Sequence, residues 1–557
     1  MTYFVSWRKI SVQVAAVAAL TLGCNATRLC AQTAQWIEQV GTGGISTGVS
    51  SDALQNSYAT GMVSNPALFD NVSIPCHAAD VFVAKYNPDG LLQWATTAGG
   101  DLLDQGNDIA TDSAGNSYVV GYIQTNGLHP TATFDNIVLT GHGDYDWFVA
   151  KYNPNGAVVW AKNAGGIAGD MANGVALDSA GNVYVTGFFS GTITVDGVTL
   201  TSAGLFDVFL AKYDPSGTLL WLKRAGGSGS DIAHGVVVDS SGQIAITGEF
   251  QNTARFDSHS VTASGLGDAF IAKYDSAGNN IWVHRGGSNI SFRTDRANSI
   301  AVGPADSYYI TGDFSGTANF DNLSVTSTDP NSQDIFVARY DTNGVIQWLH
   351  HAGGPPADVG YSIGVDATGN SYVSGFAASG PGVVFDTISL PPIGNEYIFL
   401  AKYDPTGVVQ YVKQYAAGLG LDIHVVGDGC LYFSGGASKG NGHEFDDISL
   451  IYVDRDGFTG KFCEAISCSA PTGLTVSRIN SKNASLTWNA VSGATSYVLQ
   501  YRKAGTTTWK SRTVAAPTVQ LKNLSPGVTY EAQVATTCAN GTSDFSPIIT
   551  FTTPSNG

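Results

Sequence analysis

Four groups of residues in this chain have types and spacings that could carry chemistry. Gly44-Ile45-Ser46-Thr47-Gly48 has the spacing of a nucleophile elbow, in which a serine on a strand-to-helix turn attacks an acyl carbon. The residues after it read as a strand rather than a helix, so no catalytic serine is expected. His443-Glu444 opens like a zinc-protease helix but has no second His one turn on. Asp454-Arg455-Asp456-Gly457 begins like a calcium loop and lacks the distal Glu that would close it. It also falls where a hairpin turn recurs along the chain. The fourth group is a series: Asp104, Asp170, Asp231, Asp295 and Asp358 each follow a Gly-rich stretch. Such recurrence points to carboxylates that cap backbone amides in loops between repeated units. Calcium binding at these loops is the alternative use. The expectation is of no catalytic residue, no cofactor and no resident metal.

What must position these residues is a repeat. Phe-x-Ala-Lys-Tyr-x-x-x-Gly-x-x-x-Trp runs from Phe82 to Trp94, Phe148 to Trp160, Phe209 to Trp221 and Phe270 to Trp282. Arg replaces Lys between Phe336 and Trp348, and Tyr replaces Trp between Phe399 and Tyr411. A worn copy starts at Phe458 without a Trp after it, and an orphan Trp36 stands near the other end. Aligned on Lys85, Lys151, Lys212, Lys273, Arg339, Lys402 and Lys461, the spacings are 66, 61, 61, 66, 63 and 59 residues. Each unit holds two hairpin signals with Asp-x-x-Gly turn chemistry, which makes four strands. A chain that begins with the last piece of a unit and ends without it is built to close a ring. The strand Gln35-Trp36-Ile37-Glu38 is expected to complete the seventh unit, beside strands around Ile423 to Val426, Leu431 to Ser434 and Phe458 to Phe462. Deleting residues 32–42 should bare a sheet edge and lower the melting temperature.

Composition agrees with many short strands. Gly is 67 of 557 residues and charged residues are only 13%. A net charge of -18 excludes the basic surface that nucleic acid needs, and equally an electrostatic dock on anionic lipid. Arg8 and Lys9 before the apolar run from Ile10 to Leu22 read as an export signal ending at Ala31. Lipidation at Cys24 is the minority reading. No later stretch is apolar enough to span a membrane, so a secreted or cell-surface, extracytoplasmic protein is expected. After Cys468 the composition shifts to a shorter alternation. Leu524-Ser525-Pro526-Gly527-Val528-Thr529-Tyr530 reads as the tyrosine corner of a β-sandwich.

The repeated unit, Asp-x-Phe-x-Ala-Lys-Tyr with its Gly, Trp, Gly-Gly and Asp-x-x-Gly-Asn-x-Tyr-Val-Thr-Gly segments, resembles the bacterial SBBP-type β-propeller repeat. The C-terminal part, with Trp488, Tyr497, Leu524 and Tyr530, resembles a fibronectin type III domain. The resemblance implies an all-β chain: a signal peptide over 1–31, a seven-bladed β-propeller over 32–467 closed by the N-terminal strand, and an immunoglobulin-like sandwich over 468–557. It implies an exported setting and transfers no catalytic residues. Cys468 and Cys538 are placed as in bacterial fibronectin domains with a disulfide; Cys430 and Cys463 form the second expected pair, and Cys76 is left unpaired.

The function expected is a non-enzymatic binding or adhesion scaffold, monomeric, recognising a protein or glycan. The recognising segments would be the variable loops: Cys76-His77, Asn126-Gly127-Leu128-His129, and Ser288 to Arg296 with Phe292, Arg293 and Arg296. The alternatives are a polysaccharide hydrolase or lyase with paired carboxylates in a central channel, and a purely structural envelope component. No further anchoring or sorting module is expected after Gly557.

Overall fold

The computed structural model describes residues 32–40, 43–64, 67–69, 72–378, 382–391, 396–415, 418–427, 429–437, 443–446, 448–450, 456–464, 469–491, 494–538 and 541–555. The segment 1–31 with Cys24, and Cys468, lie outside them. The chain divides after Glu464 into two compact units.

Among the described residues the larger unit has seven antiparallel sheets, each with a four-stranded core, and a short hairpin extends four of them to six strands. The third shows the pattern: Met171–Leu177, Val183–Phe189, Asp207–Tyr213 and Leu219–Gly227 pair in that order. The six earlier sheets use contiguous chain, and the seventh does not. Its strands Gly418–Val426, Cys430–Ala437 and Asp456–Glu464 are joined by Gln32–Val40, with Trp36 opposite Lys461 and Gln39 opposite Phe458. The first strand of each sheet packs on the first strand of the next, and Gly418–Val426 packs on Ile45–Ser51.

One addition was not legible as a strand pair. Between strands two and three each unit inserts a short hairpin, as in Thr192–Val195 with Val198–Thr201. Most of these hairpins turn on an Asp in the left-handed region, including Asp135, Asp257 and Asp446. That carboxylate accepts a backbone N–H from the outer strand of its own unit: Val158 N–H to Asp135 at 2.7 Å, Asn280 to Asp257 at 2.7 Å, Ala34 to Asp446 at 2.8 Å. Several hairpins also pair with the end of the outer strand before them, as Arg255 does with Gly226. Edges that would otherwise template aggregation are thereby covered.

The repeat signature is explained by contacts between units. Gly90 sits at φ +83°, and a Cβ there would stand 2.7 Å from the Trp36 ring. The Trp36 indole N–H donates to Pro88 O at 2.9 Å. Trp94 treats Gly156 and Pro154 in the same way. Each Trp therefore lies flat on the turn of the following unit, which only Gly permits. Lys85 stands 4.8 Å above the Tyr58 ring and 3.6 Å from Asp52, to which the Tyr58 hydroxyl donates at 3.0 Å. The fourth unit breaks this rule because Ala245 occupies the Tyr position. Tyr308 of the fifth unit fills the gap, donating to Asp239 at 2.7 Å with Lys273 5.1 Å above its ring. Phe209, Ala211 and Tyr213 pack to one side of their strand and Val208 and Leu210 to the other, in separate cores. Burying one large side chain contributes about 1.5–3 kcal/mol, so inter-sheet surfaces hold the unit together.

The smaller unit is a two-sheet sandwich. Thr475–Ile479, Ala484–Thr487 and Thr518–Leu521 form one sheet, and Ser496–Lys503, Lys510–Val514, Thr529–Cys538 and Ile549–Thr552 belong to the other. Trp488 packs edge-on against Tyr497 at 5.4 Å. The Tyr530 hydroxyl accepts the Ser525 N–H at 2.9 Å, the corner expected from the sequence.

Candidate functional site

Every first strand carries a β-bulge, one residue opposed by none on strand two. The register places them at Thr47, Asn107, Asn173, His234, Asn298, Tyr361 and Leu421. All seven line one cavity of about 500 Å³, to which each of the seven first strands contributes. Several bulged side chains donate to the next sheet just before its own bulge. Thr47 bonds Gly106 O at 2.6 Å, Asn107 bonds Ala172 O at 2.9 Å, Asn173 bonds Ala233 O at 2.9 Å and Asn298 bonds Gly360 O at 3.0 Å. The bulge thus re-aims one polar side chain per sheet, and those side chains lace neighbouring sheets together.

The residue after each bulge also faces the next sheet. Asp108 accepts the Val175 N–H at 2.8 Å, Ser299 accepts Ile363 at 3.2 Å, Ser362 accepts Ile423 at 3.1 Å and Asp422 accepts Val49 at 2.7 Å. Burial, reinforced by the negative charge of Asp422, pushes the Asp108 carboxyl up to about 7. Burial raises Asp422 to about 6, against its hydrogen bonds from Val49, Ser362 and Ile423. Two carboxylates therefore face one cavity, both held above the ordinary carboxylate range by burial and each with its oxygens engaged by backbone N–H donors. His234 and His424 line the same cavity, and desolvation holds both down to about 4, so they are neutral at pH 7.

Above His234 the repeat departs from itself. At one register position near the end of strand two the units carry Met62, Tyr122, Phe188, Phe376 and Gly436, but Glu249 in the fourth and Asp313 in the fifth. Arg296, cross-strand partner of Asp313, lies 3.6 Å from Glu249 and 3.7 Å from Asp313. Asn298 and Gln333 donate to Asp313, and Arg293 donates to Gln333. Desolvation raises Glu249 to about 7 and also raises Asp313, where burial outweighs the attraction of Arg296.

The residues singled out in the sequence fall as follows. Ser46 is buried in a strand, with another strand and no helix after it, so Gly44 to Gly48 is not an elbow. Asp454, Arg455 and the side chains of His443 and Glu444 lie outside the described residues. Asp456 accepts the Gly43 N–H and the Gln39 amide. The five recurrent Asp residues each accept two N–H groups. Asp104 takes those of Gly100 (2.6 Å) and Gln124 (2.9 Å), and Asp358 those of Gly354 (2.7 Å) and Ala378 (3.0 Å). They are the expected caps, with pKa values raised by burial to about 7 for Asp104, 6 for Asp170 and Asp231, 7 for Asp295 and 8 for Asp358. Among the described residues no three His, Cys, Asp or Glu side chains are grouped to hold a metal ion. Leu128 and Phe292 are exposed, while Arg293 and Arg296 join the charged cluster. Cys430 and Cys463 are disulfide-bonded, Cys76 is a buried free thiol, and Cys538 is disulfide-bonded. No described helix is long and apolar enough to cross a membrane.

Sequence reasoning missed the bulges, Asp108, Asp422, Glu249 and Asp313. The last two carried a signal, since each replaces an uncharged residue at a fixed position of the repeat.

Residues 93–129 match the family model for the beta-propeller repeat, and residues 469–552 that for the fibronectin type III domain. An uncharacterised WD repeat-containing protein of Acanthamoeba polyphaga mimivirus is 27% identical over 380 residues, covering 55% of this chain and 27% of that protein. Regulatory protein FlaEY of Caulobacter vibrioides is 25% identical over 277 residues, covering 45% of this chain and 27% of its own length. The chain thus spans about a quarter of the length of either relative. The fibronectin domain of human collagen alpha-1(XX) chain is 29% identical, covering 16% of this chain and 88% of its own, with TM-score 0.15. That of human contactin 1 is 24% identical, covering 16% and 80%, with TM-score 0.16. The chain carries a β-propeller repeat and a fibronectin type III domain, modules of a binding or scaffold protein.

Proposed function

We propose that the seven sheets form one closed seven-bladed propeller, and that the chain is an exported, non-enzymatic scaffold recognising protein or glycan at the loop-bearing mouth of its axial cavity. Closure is supported by the pairing of Gln32–Val40 with Asp456–Glu464 and by a cavity lined from all seven first strands. The observation that carries the binding reading is that Thr47, Asn107, Asn173, Asn298, Asp108, Ser299, Ser362 and Asp422 of the cavity wall are committed to neighbouring backbone. A wall so braced is rigid, which suits a binding scaffold. The disulfide-bonded cysteines fit an oxidising, extracytoplasmic setting.

The test is to immobilise the purified chain and screen surface-extract proteins and glycans. Saturable binding abolished by Phe292→Asp and Leu128→Asp is expected. Binding that survives both and follows the isolated sandwich would sink the reading. Asp108 and Asp422 favour a second reading, a polysaccharide hydrolase or lyase. New reducing or unsaturated ends from a polysaccharide panel, lost in Asp108→Asn, would establish it in place of the first.

A further inference from the structure

The charged group in the fourth and fifth units lies where the sequence offers it no structural necessity. Other units place Met62, Tyr122, Phe188, Phe376 or Gly436 at the position of Glu249 and Asp313. Placing charges at these largely buried sites costs desolvation that packing an apolar side chain would not. The cluster is incompletely satisfied as well. Arg293 Nε and His234 Nε2 are buried atoms with no hydrogen-bond partner, and Glu249 Oε2 and Arg296 Nε meet only through ion pairs, 3.6 Å from each other and Arg296 3.7 Å from Asp313. Donors and acceptors therefore converge: Arg296 stands between Glu249 and Asp313, and Arg293 reaches Asp313 through Gln333.

That composition selects a class of ligand. A simple cation would meet two guanidinium groups, and a simple anion would meet two carboxylates. A hydroxyl both donates and accepts, so it fits between them without a net charge. Next to the cluster, on the sixth sheet, Tyr361 and Phe376 stack at 6.3 Å with ring planes 25° apart. Both are part-exposed, and Tyr361 also lines the cavity. An aromatic surface beside a mixed hydrogen-bonding group suits a molecule with one apolar face and hydroxyls around its edge.

We infer that the face beside the cavity across the fourth to sixth sheets is a carbohydrate site. A pyranose ring packs its C–H face on Tyr361 and Phe376, and its hydroxyls meet Arg296 and Glu249, whose side chains reach solvent while Asp313 behind them is sealed. This rests on the binding reading above and names its ligand class.

The probes are an array of neutral hexose oligosaccharides and titration calorimetry of those retained, using the full chain. Glu249→Gln should weaken binding roughly tenfold to hundredfold, as expected for loss of a hydrogen bond to a charged group. Phe376→Ala should abolish array retention. Tyr361→Phe, which keeps the stacking surface, should weaken binding less than tenfold. Val159→Ala, on an outer strand of the second sheet, should change nothing, and melting curves of all variants check folding. Retention untouched by Glu249→Gln and Phe376→Ala in folded protein overturns the inference. So does a silent array. A silent array with a protein ligand mapped to Phe292 leaves the binding reading standing, whereas a silent array with no ligand at this face removes both.

Discussion

Removing the Trp36 side chain tests whether the amino-terminal strand is an equal member of the packing. Trp36 is 9% exposed, touches Tyr86 and Tyr432 with ring centroids 6.1 Å away, and donates to Pro88 O. Truncating a buried aromatic to Ala costs about 3–5 kcal/mol, with about 1 kcal/mol of that order tied to the indole hydrogen bond. Trp36→Ala should therefore destabilise as much as Trp221→Ala, whose indole bonds Ser276 O in the middle of the chain. Gly90→Ala probes the same contact from the other side. Its φ of +83° alone costs a non-glycine residue about 1–2 kcal/mol, and the added methyl collides with the Trp36 ring. In a Trp36→Ala background the collision is gone. The pair should then show a coupling energy of about 1 kcal/mol or more, as touching residues do. Denaturant unfolding followed by circular dichroism, which does not depend on the deleted fluorophore, reads all five proteins. If Trp36→Ala stays within about 0.5 kcal/mol of wild type while Trp221→Ala does not, the strand is an ornament and the closed ring fails.

Further outcomes follow from charge, covalent linkage and the irregular fourth unit. Asp104, Asp170, Asp231, Asp295 and Asp358 titrate above their usual range when folded, so the stability they give is full below about pH 4 and is lost as pH rises through about 6 to 8. Asp52, Asp178 and Asp366 are held below it, and their stability is lost as pH falls beneath their unfolded values. The melting temperature should thus peak between about pH 4 and 6 and fall towards pH 8.5; scanning calorimetry showing a rise over that upper range would refute the assignment. Removing Cys430–Cys463, which closes a separation of 33 residues, should cost about 3–4 kcal/mol, seen as earlier unfolding of a Cys430→Ser Cys463→Ser variant than of the wild type in the absence of reductant. Tyr308→Phe removes a hydrogen bond to a buried carboxylate and should cost about 1.5–3 kcal/mol, while Tyr309→Phe, whose hydroxyl donates to the uncharged Gly369 O at 3.3 Å, should cost less in the same melt.

Architecture was readable because it is written repeatedly. One Lys per unit sets the period, and the displaced Trp36 announces where the chain returns. The Asp caps were legible for the same reason: a residue type that recurs at a fixed offset from Gly-Gly reports a backbone need. The cavity was not legible. A bulge leaves no compositional mark, and Thr47, Asn107, His234 and Leu421 share a register position without sharing a chemistry. Asp108 and Asp422 look like any strand-edge acids until two sheets stand side by side. The charged mouth was half visible: Arg293 and Arg296 stood out in an irregular loop, but their partners Glu249 and Asp313 sit inside strands that otherwise follow the repeat.

Tyr308 serves a unit to which it does not belong in sequence, and this makes two of the repeats inseparable. Excising, duplicating or transplanting the fourth segment without the fifth would leave Asp239 and Lys273, 3.4 Å apart and out of solvent, without their shared phenol. Growth of such an array by copying whole segments is free at junctions where each unit supplies its own tyrosine. Here it is not, so the copies have acquired individual addresses, and the order of these two is fixed by the molecule itself.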